Sequence, residues 1–374
     1  MKLAKKLILF VLCLLITCVN WLSFSVPVRA AKESKALYIA LGDSIASGYG
    51  LESYINGDDK NKYSSSNSVI KLGKKTGMTT VNYGVEGIDS TVFYQALSKP
   101  STKEQKEAVE KIKDAKLITL SIGGNNVFIP LLNSVNENIE NGRNIFNADP
   151  SQIQRAVLKL LLSENEFKNM IDNVLKGAET FAGNEKLHKP GDFENIISFI
   201  KALNPKAKLI VQTIYSPYEK ILPVTVDSAI KNMNAKIIKL SDNGKNFRVA
   251  DVYSAFAKAP GGMQLTNADT GKNFDPHPTK KGHEVIYTLM YYSAENKIPF
   301  EVKANVIKGK AENTVAAGEL KIKINPTAGC KLPKTIVLTI GKSVKYTLPL
   351  NNGTAAVPIA QINGDIAITA VCTK

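Results

Sequence analysis

The chain has 374 residues, 44% of them hydrophobic and 22% charged, which is long enough for two domains that each bury a sizeable core. Its 48 Lys and Arg outweigh 33 Asp and Glu, for a formal charge of +15, yet the basic residues are scattered and no basic run is interleaved with aromatics, which argues against a nucleic-acid partner. Three His and four Cys, with no Cys-x-x-Cys pair and no His/Cys cluster, argue against a structural zinc site.

At the amino terminus Lys2, Lys5 and Lys6 precede an uncharged stretch from Leu7 to Val28, and Ala30 and Ala31 follow Arg29. A basic start, an apolar centre and a Val28-x-Ala30 end predict a secretory signal peptide, residues 1–30, cleaved after Ala30. An uncleaved anchor is the competing reading, weakened by Asn20, Ser23, Ser25 and Pro27. Cleavage leaves a basic, secreted or cell-surface protein. Its expected partner is an anionic cell-wall polymer or membrane surface, against the alternative of a merely solvated Lys-rich exterior.

From residue 32 to 297 short apolar runs alternate with helical stretches. Strands are predicted at Ala36–Leu41, Thr80–Tyr83, Leu117–Ile122, Lys208–Thr213 and Phe247–Val252. Helices are predicted near Ser68–Thr76, Lys103–Asp114, Phe193–Ala202 and Val226–Ser241. This alternation predicts an α/β fold with a five-stranded parallel sheet covered on both faces, whose ligands bind beyond the carboxyl ends of the strands. The long interval 127–204 reads as a helical insertion containing one amphipathic segment, Ile153–Leu175, either a lid or a packed elaboration. Residues 301–374 are rich in Val, Ile, Thr, Gly and Asn, with turn signals at Asn351-Asn352-Gly353 and Asn363-Gly364, and predict a small antiparallel β sandwich. Cys330 and Cys372 bracket that region and suggest a disulfide in an oxidising compartment, two free thiols being the alternative.

Gly42-Asp43-Ser44 directly follows the first predicted strand, where a serine is held rigidly and the next turn offers N–H groups to an oxyanion. A serine nucleophile needs a base. His277 lies in Phe274-Asp275-Pro276-His277-Pro278, stiffened by two prolines, with Asp275 placed to orient it. His283 enters a helical pattern and reads as a packing or capping residue, and His188 reads as surface. Ser121-Ile122-Gly123-Gly124-Asn125-Asn126 and Asn82-Tyr83-Gly84-Val85-Glu86-Gly87 each end a predicted strand and could supply oxyanion donors, although either one alone is an ordinary turn pattern.

In chain order, Gly42-Asp43-Ser44, Asn82 to Gly87 with Ile88-Asp89-Ser90, Gly123-Gly124-Asn125 and Asp275-Pro276-His277-Pro278 resemble the four blocks of the SGNH (GDSL-type) hydrolases. The resemblance implies a three-layer α/β/α esterase or lipase that uses no metal and no cofactor. It implies Ser44 as nucleophile, His277 as base, and an oxyanion hole from the Ser44 and Gly87 amides and the Asn125 side chain. Two departures stand out. Asn126 occupies a position where the family often has Asp. The triad Asp often lies three residues before the His, where this chain has Phe274, so Asp275 stands one place late and Asp269 is a distant alternative. The resemblance does not extend past Pro299. The expected activity is hydrolysis of a lipid or acylated-carbohydrate ester through an acyl-enzyme. The rival reading is a non-catalytic surface-binding protein on a decayed hydrolase fold.

Overall fold

Leu37–Gly42 (β1) is buried at every position but the first, as a strand covered on both faces of a parallel sheet must be. The computed structural model of the protein describes residues 35–51, 64–140, 145, 148–218, 224–259, 263–270, 274–341 and 344–374. The expected signal peptide lies outside them. β1 pairs in parallel with Thr79–Gly84 (β2) on one side and Leu117–Ser121 (β3) on the other. Lys208–Gln212 (β4) and Arg248–Ala250 (β5) continue the sheet in the order β2-β1-β3-β4-β5, all parallel. The five expected strands are therefore the five observed ones.

Alternate residues of β1 serve opposite layers, as the twofold period of a strand requires. Tyr38 and Ala40 pack with Val69 and Leu72 of α2 (Ser68–Thr76) and with Val285, Ile286 and Met290 of a long carboxyl-terminal helix, Lys280–Glu295. Ile39 and Leu41 face the larger cluster on the other side, which takes in the helices of the insertion. A four-residue turn of helix, Ser44–Ser47 (α1), sits at the carboxyl end of β1. Ser90–Ser98 (α3) and Lys103–Asp114 (α4) connect β2 to β3.

The insertion after β3 holds Gly124–Asn136 (α5), Pro150–Leu162 (α6), Glu164–Ala182 (α7) and Asp192–Leu203 (α8). The single amphipathic segment expected over Ile153–Leu175 is two helices. Ser163 takes an extended backbone and its N–H closes α6 on the Lys159 and Leu160 carbonyls, while the same residue caps α7. α7 lies against α5 closely enough that a Cβ at Gly177 would meet the Asn126 carbonyl oxygen at 1.9 Å. Val224–Ser241 (α9) and Val252–Ala257 (α10) flank β5, and Lys280–Glu295 is α11.

After Val302 the chain forms a four-stranded and a three-stranded sheet around their own core of Leu320, Ile322, Ile336, Leu338, Ile366 and Ile368. One pair departs from the expected antiparallel pattern: Val302–Ile307 runs parallel to Ile366–Val371. This β region is packed onto the α/β layers. Ile359 is buried with Tyr287 and Leu289 of α11, and the Gly318 N–H donates to Tyr292 Oη at 3.0 Å. Residues Ala36–Lys374 accordingly form one compact unit. Cys330 and Cys372 are free thiols, which corrects the suggested disulfide. Their neighbours Lys331 and Thr373 form an antiparallel bridge, so the two cysteines step off to opposite sides of it rather than facing each other.

Candidate active site

The chain passes from β1 into α1 in a way only glycine allows. Gly42 has φ +127°, and a Cβ there would stand 1.9 Å from the Ser121 carbonyl oxygen of β3. Asp43 then caps α1: its carboxylate accepts the Ile45 N–H at 3.0 Å and the Ser121 hydroxyl at 2.9 Å. Burial pushes the Asp43 carboxyl up to about 6, against those two bonds, which favour its charge. Beneath the turn, the side-chain amides of Asn67 and Asn82 both donate to the Ala46 carbonyl, at 2.9 and 2.7 Å. Ser44 is thus the first residue of a short helix fixed from both ends.

Ser44 Oγ lies 2.9 Å from His277 Nε2. His277 Nδ1 is hydrogen-bonded to Asp275 Oδ1, and the same oxygen accepts the His277 backbone N–H at 3.0 Å. The second carboxylate oxygen accepts from Asn267 Nδ2 at 2.8 Å, and that amide also donates to the Gly50 carbonyl at 3.2 Å. Burial works against the Asp275 charge, but the bonds from His277 and Asn267 outweigh it and hold the carboxyl below its ordinary range. The late position of Asp275 is accommodated by a tight turn that brings the His277 ring and backbone onto one carboxylate. Tyr215 Oη and Tyr218 Oη clamp that turn by donating to the Pro276 carbonyl at 2.8 Å and the Phe274 carbonyl at 2.5 Å.

The other candidates fall elsewhere. Asp269 accepts the Leu265 and Thr266 N–H groups at 3.1 and 2.8 Å and shapes the turn before Asp275. His283 is buried, and its Nδ1 accepts the Ser68 N–H at 3.3 Å at the start of α2. Burial lowers its pKa to about 3, so it is a neutral capping residue. His188 is exposed. Among the described residues no group of three or more His, Cys, Asp and Glu side chains is placed to hold a metal ion.

Gly87, with φ +67°, and Asn125, at the start of α5, line a cavity beside Ser44 and His277. Asn125 Nδ2 donates one hydrogen bond to the Ile88 carbonyl at 2.8 Å, which fixes the amide against the loop after β2 and leaves its second N–H for a ligand. Asn126 faces away: its Oδ1 accepts the Ser90 N–H at 3.1 Å and its Nδ2 donates to Ser90 Oγ at 2.9 Å, so the departure from Asp tightens the α3–α5 junction without touching the cavity edge at Asn125.

The cavity measures about 370 Å³, within the roughly 300–1,000 Å³ common for small-molecule sites. Its inner wall is apolar, built from Phe128, Ile129 and Leu132 of α5 with Ile145 and Ile214. Tyr49 and Glu86 stand at its outer end, the Tyr49 ring centroid 4.4 Å from that of His277. Asn267, Tyr215, Tyr218 and the apolar wall carry no local sequence signal of their own. Only the α5 spacing Phe128, Ile129, Leu132 announces an apolar helix face, and that pattern fits an ordinary core equally well.

A family model described as the GDSL-like lipase/acylhydrolase family matches residues 40–285. No curated protein matches the chain in sequence. Among solved structures, the extracellular lipase of Streptomyces rimosus is similar at 19% identity, covering 69% of this chain and 99% of that one, with a TM-score of 0.48. Phospholipase A1 of Streptomyces albidoflavus NA297 is similar at 17% identity, over 69% and 99% of the two chains, with a TM-score of 0.45. The lipase Lip_vut3 from a goat rumen metagenome is similar at 16% identity, over 69% and 97%, with a TM-score of 0.44.

Proposed function

The chain belongs to the GDSL-like lipase/acylhydrolase family and is a carboxylic ester hydrolase, and on that premise we propose that it works through an acyl-enzyme on Ser44. The observation that carries this reading is the continuous hydrogen-bonded line Ser44–His277–Asp275. His277 Nε2 takes the Ser44 proton as Oγ bonds to the ester carbonyl carbon, and Asp275 holds the ring in the tautomer that leaves Nε2 free to accept. The carbonyl oxygen becomes an oxyanion received by the Ser44 and Gly87 N–H groups and the spare N–H of Asn125. His277 returns the proton to the leaving alcohol, the C–O bond breaks, and water activated by the same imidazole releases the acid.

The apolar wall of the cavity supports an acyl chain longer than acetyl, which favours a lipid-like ester over an acetylated glycan. Residues 1–30 serve in this reading as a cleaved secretory signal. The excess of Lys, including exposed Lys303, Lys308, Lys321 and Lys323 on the carboxyl-terminal sheets, suits an anionic wall or membrane surface.

The test is covalent labelling by an organophosphonate ester followed by peptide mass analysis, with rates on short-chain aryl esters measured in parallel. Attachment at Ser44, and loss of both labelling and turnover in Ser44→Ala, are expected. A folded wild type that neither labels nor turns over would instead favour the non-catalytic binding protein.

A further inference from the structure

The charge lining the cavity is opposite to that of the chain. The sequence carries 48 Lys and Arg against 33 Asp and Glu, yet among the described residues no Lys or Arg lines the cavity. The Asp, Glu and His side chains among the described residues that do line it are Asp43, Glu86 and His277, with Tyr49 and Tyr215 beside them. Asp43 is turned into the fold by its bonds to Ile45 and Ser121. Glu86 is exposed, and among the described residues it accepts no hydrogen bond and pairs with no Lys or Arg.

Its location gives this charge a bearing on the reaction. Glu86 directly precedes Gly87, whose N–H the preceding reading assigns to the oxyanion. A carboxylate beside the point where negative charge develops opposes catalysis unless something neutralises it. Partial burial raises the Glu86 carboxyl, and the influence of His277 works in the opposite direction. Tyr49, Glu86 and His277 all line the cavity, the Tyr49 and His277 ring centroids are 4.4 Å apart, and Glu86 is the exposed member of the three. The inner end, with buried Phe128, Ile145 and Ile214, is apolar and suits the acyl chain. The outer end, beside the imidazole that protonates the leaving oxygen, is where the alcohol must lie. A carboxylate and an aromatic ring flanking that position form a cation-binding arrangement, and a cleft lined by one sign of charge concentrates counter-ions of the other.

We propose that Glu86 and Tyr49 form a subsite for a cationic leaving alcohol, so that the preferred substrates are esters whose alcohol carries an ammonium group. This rests on the ester-hydrolase reading above and adds the identity of the alcohol. An anionic alcohol, such as one bearing a phosphodiester next to the ester oxygen, is disfavoured by the same carboxylate. Chemistry at the ester is unchanged: the ammonium group is held, not transformed, and leaves with the alcohol.

The experiment compares kcat/KM for butyrylcholine and for 3,3-dimethylbutyl butyrate, which differ by a quaternary nitrogen in place of a carbon. A second arm compares butyryl esters of glucosamine and of glucose at the same hydroxyl, and p-nitrophenyl butyrate serves as the reference. The wild type is expected to favour the cationic member of at least one pair by about tenfold at low ionic strength, and the preference falls as salt is added. Preference in the first pair identifies an amino alcohol and in the second an amino sugar. Glu86→Gln is expected to bring the ratio down to about threefold or less, and Tyr49→Leu to lower it in part. Hydrolysis of the reference ester with a wild-type ratio near one in both pairs overturns the subsite and leaves the hydrolase reading standing. A ratio that survives Glu86→Gln, or an equal loss on all esters in that variant, also overturns it, the latter showing that Glu86 acts on His277 and not on the alcohol. Failure on every ester, the reference included, overturns both.

Discussion

His277 Nε2 stands 2.9 Å from Ser44 Oγ across 233 residues of chain. One residue begins the helical turn after β1 and the other lies in the clamped loop between β5 and α11. The parallel sheet brings both to its carboxyl edge, because every strand ends on the same side. In the proposed reaction the two groups work as one unit and so do not contribute independently. Ser44→Ala and His277→Ala should each lower kcat on p-nitrophenyl butyrate by roughly 10⁴-fold or more, and the double variant should lose little beyond either single one. Multiplying losses in the double variant would show that the two act separately.

Asp275 and Asn267 form the outer part of the same line. Asp275→Asn removes the charge that holds the His277 tautomer and should reduce kcat by about 10³- to 10⁴-fold. Asn267→Ala removes one hydrogen bond to a carboxylate that keeps its His277 partners, so a loss of about tenfold is expected. Steady-state rates on one aryl ester decide the order. Equal losses in the two variants would mean that Asn267, and not the Asp275 charge, sets the geometry.

Ile129 projects from α5 into the apolar wall and is only partly buried. Ile129→Trp should fill the inner end of the cavity. Relative to wild type, kcat/KM on an octanoyl ester should fall by about tenfold or more, with less than about threefold change on the acetyl ester, since each methylene refused by a pocket is worth about 1–3 kcal/mol. A uniform drop across chain lengths would place the acyl group elsewhere.

Asp43 supplies a pH dependence of stability. Its folded carboxyl is raised to about 6 from the ordinary 3.8 of a free Asp side chain. Between those values the folded state holds the proton more tightly than the unfolded chain, so stability from this group is present below the lower value and is lost as pH rises through about 6. The loss is of order 3 kcal/mol at most. Asp43→Asn cannot ionise, so wild type minus variant stability, from urea unfolding at pH 4 to 7.5, should decline as pH rises. A difference that grows with pH would show that the Ile45 and Ser121 bonds outweigh burial.

Much of the architecture was readable in the chain because burial on two faces leaves continuous apolar runs: Leu37–Gly42 and Leu117–Ser121 could be little else. The α6–α7 break at Ser163 was not readable, since apolar periodicity carries across it and the stop depends on one extended residue. The suggested Cys330–Cys372 bond failed for a related reason. Spacing says nothing of how two residues are offset along a ladder, and about the antiparallel Lys331–Thr373 bridge Cys330 and Cys372 lie toward opposite ends.

By itself the sequence determined the chemistry of the candidate site: a serine after a strand, a histidine between two prolines, and Gly/Asn turns that end other strands. These are local requirements, written in residue type and immediate neighbours. Tertiary structure decided which carboxylate meets His277, how Asn125 is fixed by the Ile88 carbonyl, and that an apolar cavity with Glu86 at its outer end opens beside Ser44. Each of these depends on distances between segments far apart in the chain, which close packing sets and no local pattern encodes.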